Sequence, residues 1–178
     1  MIKKKILAIS GSTRERSTNL SLIYAIKELS KEVFEIEVFN EIAGLPQFNP
    51  DHDIDPAPQK IFGFRKLLKE ADGVLICTPE YAMGVPGTLK NAIDWTVSSA
   101  EFSKKPVALI TASSMGEKAH TSLLETLKII EGNITGDTQL LISFAKTKIN
   151  SDTVITDKET LEQVKKLIKA FSKLINHE

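Results

Sequence analysis

The feature that most constrains this chain is an alternation in which short, β-rich apolar runs are separated, again and again, by longer stretches of helical period. It begins with Ile6-Leu7-Ala8-Ile9, followed by a polar loop and a predicted helix over Asn19 to Ser30. Val33 to Phe39 sets Val33, Phe34, Ile36, Val38 and Phe39 against Glu35 and Glu37, as a half-exposed edge strand does. Gly44 to Pro58 carries four prolines, Pro46, Pro50, Pro56 and Pro58, and reads as a long irregular surface loop. Ile61, Phe64, Leu67, Leu68 and Ala71 then share one helical face, and Gly73 to Thr78 is a continuous buried strand. A helix from Pro86 to Ser98, a strand from Pro106 to Ala112, a helix from Glu117 to Glu131 and a strand from Gln139 to Ile142 continue the pattern. Leu161, Val164, Leu167, Ile168, Phe171, Leu174 and Ile175 end it as an amphipathic helix.

Five βα units imply an α/β fold, an open five-stranded parallel sheet with helices on both faces, because parallel neighbours need right-handed crossovers. The expected strand order is 2-1-3-4-5. Ligands of such sheets sit beyond the carboxyl ends of the strands, where the winding reverses, which directs attention to the loops after Ile9, Thr78 and Ala112. The 178 residues show no break in composition, so one domain over 1–178 is expected. Lys and Arg number 23, equal to Asp and Glu, and no net field recruits nucleic acid. Cys77 is the single cysteine, which excludes an internal disulfide and a multi-thiolate metal site and suits a small hydrophobe in a strand. The apolar run after Lys3 to Lys5 stops at Ser10-Gly11, too short for a secretory h-region, and no stretch is apolar enough to span a membrane. A cytoplasmic protein without a metal is the expectation.

The first loop, Ser10 to Asn19, joins a buried strand to a helix start and carries five hydroxyls. Backbone N–H groups and the positive end of the helix dipole favour an anion there. Ser12, Ser17 and Thr18 add hydroxyl donors, and Arg14 a planar fork for two phosphate oxygens. The loop has neither the P-loop lysine nor the spacing G-x-G-x-x-G, so a terminal monophosphate fits better than a triphosphate or a pyrophosphate. Thr18 or Asn19 equally suits a plain N-cap.

The loop after Thr78, Pro79-Glu80-Tyr81-Ala82-Met83-Gly84-Val85-Pro86-Gly87, is stiffened by two prolines and two glycines. Pro79, Tyr81 and Met83 offer cover for one face of a flat ring such as isoalloxazine, and the main chain of Glu80 to Gly84 offers donors and acceptors for its polar edge. Tyr81 suits equally an aromatic resting on a neighbour, and Glu80 a partner for a helix end. After Ala112, Ser113, Ser114 and Gly116 lie within reach of such a ring, while His120 falls on a predicted helix as a surface or interface residue. Trp95 and Ile93 read as core or interface.

Together, Gly11-Ser12-Thr13-Arg14-Glu15-Arg16-Ser17-Thr18-Asn19 and Pro79 through Trp95 resemble the signature of the NADPH-dependent FMN reductase family, flavodoxin-like quinone, azo and chromate reductases. The resemblance implies a flavodoxin-like fold and FMN, with Ser12, Arg14, Ser17 and Asn19 at its phosphate and Pro79, Glu80, Tyr81, Met83 and Gly84 framing the ring. It implies NADPH or NADH as co-substrate, a small acceptor (quinone, azo compound, metal oxyanion or free flavin), and a homodimer or homotetramer. Two departures stand out. Ala82 replaces the family's asparagine, and Ala119-His120 stands where the family has a Gly-Gly pair followed by arginine. An electron-carrying flavodoxin and a non-catalytic flavin-binding or interaction protein are the alternatives.

Overall fold

A computed structural model describes residues 2–176. Five parallel strands, β1 (Lys4–Ser10), β2 (Phe34–Phe39), β3 (Gly73–Thr78), β4 (Val107–Ala112) and β5 (Gln139–Ile142), lie in the order β2-β1-β3-β4-β5. This is the expected arrangement, and β2 is an edge. The helices are α1 (Thr18–Leu29), α2 (Gln59–Glu70), α3 (Gly87–Asp94), α4 (Glu117–Ile129), a single turn α5 (Ala145–Lys148) and α6 (Lys158–Asn176).

All residues of β3 and β4 are buried, which explains their uninterrupted apolar runs. Side chains alternate between the sheet's two faces and seed two cores. Ile6, Ala8, Leu75, Cys77 and Ile110 meet α1 and α6 through Leu22, Ile26, Val164 and Phe171. Leu7, Ile9, Ile76 and Leu109 meet α2, α3 and α4 through Phe64, Leu89, Ala92 and Leu123. Phe34 packs edge-on against Phe171 at 5.5 Å, and Phe39 lies 4.7 Å from Phe64. Each fully buried side chain of this size contributes about 1.5–3 kcal/mol. Cys77 is fully buried, and desolvation pushes its thiol pKa far up, so it is the inert core residue its strand position suggests.

Three local outcomes differ from the sequence reading. The helix expected from Pro86 to Ser98 stops at Asp94, where Trp95 turns inward and donates its indole N–H to Pro46 O at 2.9 Å. The proline-rich loop contains two short 3₁₀ turns, Ile42–Gly44 and Pro50–His52. His120 is half-buried between strands, its Nδ1 2.9 Å from Thr111 Oγ1 on β4 and its Nε2 3.2 Å from Gln139 Oε1 on β5.

An amide oxygen only accepts, so His120 carries its proton on Nε2 and accepts at Nδ1 from Thr111. Burial disfavours the imidazolium and lowers the pKa below 6.5, against the opposing pull of Gln139. The unfolded chain therefore takes up a proton before the folded one does. This share of stability is complete above pH 6.5 and declines as the pH falls below it. Urea unfolding at pH 7.5 and 5.5 should show a steeper loss in the native protein than in His120→Gln, by at most about 1.4 kcal/mol per pH unit. Equal losses in the two proteins would refute this role.

Candidate active site

The carboxyl ends of β1, β3, β4 and β5 converge on a cleft of about 330 Å³. Ser12, Arg14, Ser17, Thr18 and Asn19 line it from the first loop, Pro79, Glu80 and Tyr81 from the second, and Ala112, Ser113 and Ser114 from the third. Phe144, Ala145, Lys146 and Thr147 complete it from behind β5. Ten of the residues singled out from the sequence are thus brought together. Ala82, Met83, Gly84 and Gly116 stand outside this lining.

The first loop starts where β1 and β3 touch. Gly11 N–H donates to Cys77 O at 2.8 Å, and a Cβ on Gly11 would fall 2.3 Å from Thr78 Oγ1. Ser10 Oγ accepts from Ser12 N–H at 3.2 Å and donates back to Ser12 O at 3.1 Å, which turns the chain sharply away from the sheet. Ser17 is the N-cap of α1, accepting from Asn19 N–H at 3.2 Å. The first turn of α1 contains no acidic residue, so the positive end of its dipole is uncompensated by the protein. Arg14 is exposed at the lip. Asn19, only 3% exposed, donates Nδ2–H to Ala112 O at 3.1 Å and ties α1 to β4, while its buried Oδ1 has no partner among the described residues.

The second loop is tighter than its composition suggests. Tyr81 and Gly84 exchange both backbone hydrogen bonds, at 3.0 and 2.9 Å, around a two-residue turn with φ of 50° at Ala82 and 61° at Met83. Neither residue is glycine, and asparagine enters this left-handed region more readily than alanine. The turn therefore accounts physically for the asparagine that Ala82 replaces. It also occupies the main-chain groups of Tyr81 and Gly84, leaving the amides of Ala82 and Met83 without partners among the described residues. Gly84 and Gly87 have room for a Cβ, so neither is required for close packing.

Glu80 acts as a brace. Its N–H donates to Ser113 Oγ at 3.2 Å, and its Oε2 accepts from Ala119 N–H, 2.9 Å away in the first turn of α4. The carboxylate thus faces the positive end of α4, the helix-end partnership that its sequence position allowed. Gly116, at φ 99°, is the N-cap of α4, and a Cβ there would lie 2.9 Å from Leu141 Cδ1. That conformation and its close packing require glycine. Across the cleft mouth, Tyr81 Oη lies 3.4 Å from Ser12 Oγ and links the first two loops.

The segment Phe144 to Thr147 was missed in the sequence because it carries no binding motif and follows the shortest strand. The only signal was topological: it lies after Ile142, at the carboxyl end of β5. Chemically, the cleft brings the N–H and O–H donors of the first loop together with Pro79, Tyr81 and Ser113.

The sequence model of the NADPH-dependent FMN reductase family matches residues 4–147. The chain is 32% identical over 172 residues to an NAD(P)H-dependent FMN reductase of Pseudomonas aeruginosa, covering 94% of this chain and 92% of that one. It is 28% identical over 181 residues to a quinone reductase of Escherichia coli, covering 97% and 96%. Its fold matches that of the flavoenzyme NAD(P)H:(acceptor) oxidoreductase from Paracoccus denitrificans with a TM-score of 0.78 at 24% identity, over 98% of both chains. With four-fifths of its length covered by the family model and with the two signature loops meeting at one cleft, this chain belongs to the NADPH-dependent FMN reductase family.

Proposed function

We propose that this chain, as one domain over 1–178, binds FMN non-covalently in the cleft and passes electrons from NADPH or NADH to a small quinone-type acceptor. The observation that carries the reading is the union in one cleft of the uncompensated α1 terminus, with its hydroxyls and Arg14, and the Pro79 to Tyr81 wall. Ser12, Arg14, Ser17 and Thr18 suit the phosphate, because each offers a donor where the helix dipole favours negative charge. The unpartnered Oδ1 of Asn19 supplies an acceptor for a hydroxyl of the sugar-alcohol chain. Pro79, Tyr81, Ser113 and Ser114 border the ring, and the amides of Ala82 and Met83 remain available to its polar edge.

Bound there, FMN supplies the two-electron chemistry between nicotinamide and acceptor. The chain's own residues bind, orient and shield. Glu80 keeps the second and third loops together, and its carboxylate is occupied at α4. Tyr81, Met83, Met115 and Phe144 are exposed apolar side chains on the loops around the cleft, a surface suited to a flat, uncharged acceptor. The reading places the protein in the cytoplasm, without nucleic acid or membrane partner. No helix among the described residues is long and apolar enough to cross a membrane. Ile54, Phe62 and Val97 are exposed apolar side chains away from the cleft, suited to a subunit contact in a homodimer or homotetramer, which light scattering tests.

The decisive experiment adds FMN to the purified protein, follows flavin absorbance on anaerobic addition of NADPH, and then adds a quinone. Flavin bands that shift on binding, bleach with NADPH and return with quinone are expected. A protein that leaves the FMN spectrum unchanged would favour the interaction-protein alternative, and one that binds FMN but leaves NAD(P)H unoxidised would favour the electron carrier. In the same assay Arg14→Ala should weaken FMN binding about tenfold, the worth of one exposed charge-assisted pair of hydrogen bonds. An unchanged Kd would remove Arg14 from the phosphate site.

A further inference from the structure

We propose that Lys146, on the single turn α5 behind β5, is a second cation for the terminal phosphate, acting with Arg14 from the same cleft. This rests on the FMN reading above and extends it to a residue outside both signature loops. Lys146 lines the same cleft as Ser17, Thr18 and Asn19, and its side chain is exposed. It joins no salt bridge among the described residues. Glu80 is the one acidic residue of the lining, and its carboxylate is engaged by Ala119 N–H. The cleft therefore holds two cations, Arg14 and Lys146, against one occupied carboxylate.

The backbone carrying Lys146 is held firmly. Phe144 N–H donates to Ser114 O at 3.1 Å and Ala145 N–H to Ser113 O at 3.0 Å, while the Ala145 side chain is buried in the core beneath α6. Phe144 itself sits at φ 55° and ψ 37°, a left-handed conformation that a bulky aromatic residue adopts only where its surroundings impose it. Thr147 Oγ1–H closes the turn onto Phe144 O at 2.8 Å. This tethering fixes the backbone of Lys146 in the lining of the cleft that also receives the start of α1, whose first turn lacks any carboxylate. α4 differs: it receives the Glu80 carboxylate and bears Glu117 in its first turn, so its positive end is already satisfied. Asn19, buried in the lining of the same cleft with an Oδ1 unpartnered among the described residues, independently marks the cleft as built for a polar ligand.

The test compares FMN with riboflavin, which has the same ring and sugar-alcohol chain but no phosphate, by fluorescence titration of the flavin-free protein. Lys146→Ala should weaken FMN binding about threefold to tenfold and leave riboflavin binding unchanged. Lys146→Glu should weaken FMN binding further, Lys146→Arg should restore it, and Lys169→Ala, on α6, should have no effect. The difference should shrink in 1 M salt, where screening reaches about 3 Å. Equal weakening of both flavins would overturn the proposal, because Lys146 would then act on the ring or on the fold. Unchanged FMN affinity with a raised KM for NADPH relative to NADH would also overturn it and assign the lysine to the dinucleotide. If the native protein binds riboflavin and FMN with equal strength, the phosphate site fails as a whole; if it binds neither, the FMN reading itself fails.

Discussion

A Gly11→Ala variant is expected to lose about 3 kcal/mol of unfolding free energy, the upper range for forcing a methyl into a packed core. The new Cβ would lie 2.3 Å from Thr78 Oγ1, 2.8 Å from Thr78 Cβ and 3.1 Å from Leu89 Cδ2. Leu89 can move its tip, but Thr78 cannot withdraw. It is fully buried at the end of a central strand, and the Gly11 amide bonded to Cys77 O holds the two backbones in register. Relief must come from a shift of the first loop, so FMN affinity should fall together with stability. Adding Thr78→Ala removes the Oγ1 clash and leaves the Cβ contact. A double-mutant cycle by urea unfolding should therefore give a favourable coupling of about 1 kcal/mol, and additive losses would show that the two positions do not collide.

Gly11 also illustrates how far the sequence was legible. Its place between the Ile6 to Ile9 run and a hydroxyl-rich loop marked the end of β1 and, after the loop, the start of α1, and both expectations rest on local periodicity and helix-end chemistry. The same logic located all five strands, because β1, β3 and β4 display their burial directly in composition and the edge strand β2 displays its exposed side as alternation. What stayed hidden depends on contacts distant in sequence. Glu80 was readable as a partner for a helix end but not for that of α4, at Ala119, 39 residues on, and nothing around Lys146 announces a cleft whose other walls lie more than 30 residues away. The turn at Ala82-Met83 was hidden for another reason. Neither residue type favours a positive φ, so the conformation is imposed by the paired Tyr81 and Gly84 rather than encoded at the turn.

Arg65→Ala should be the most damaging change away from the cleft, with an expected loss of about 2–4 kcal/mol, because it strips one partner from a largely buried ion pair. The side chains of Arg65 and Asp53 are 15% and 10% exposed, and Nη2 lies 2.6 Å from Asp53 Oδ1. Arg65 Nε–H also donates to Trp95 O at 2.8 Å, and Ser98 Oγ–H donates to Asp53 Oδ2 at 2.6 Å. Burial by itself would raise the Asp53 pKa, but the hydrogen bonds from Ser98 and Arg65 and the Arg65 charge outweigh it and hold the carboxyl below its usual range. Stability from this pair is thus complete above the unfolded carboxyl's pKa and is lost as the pH falls through the folded one. The network fastens the middle of the proline-rich loop, whose start is fastened separately by Asn91 and Trp95 at Pro46 and Phe48. Lysine at position 65 cannot reproduce two divergent contacts from one planar group and should recover only part of the loss. Pairing Arg65→Met with Asp53→Leu should recover more, since no charge is then stranded. None of these residues lines the cleft, so the FMN Kd should stay within twofold while urea unfolding reports the full loss. A loss below 1 kcal/mol for Arg65→Ala would mean that water replaces the guanidinium at little cost and that the loop is held by its Asn91 and Trp95 end alone.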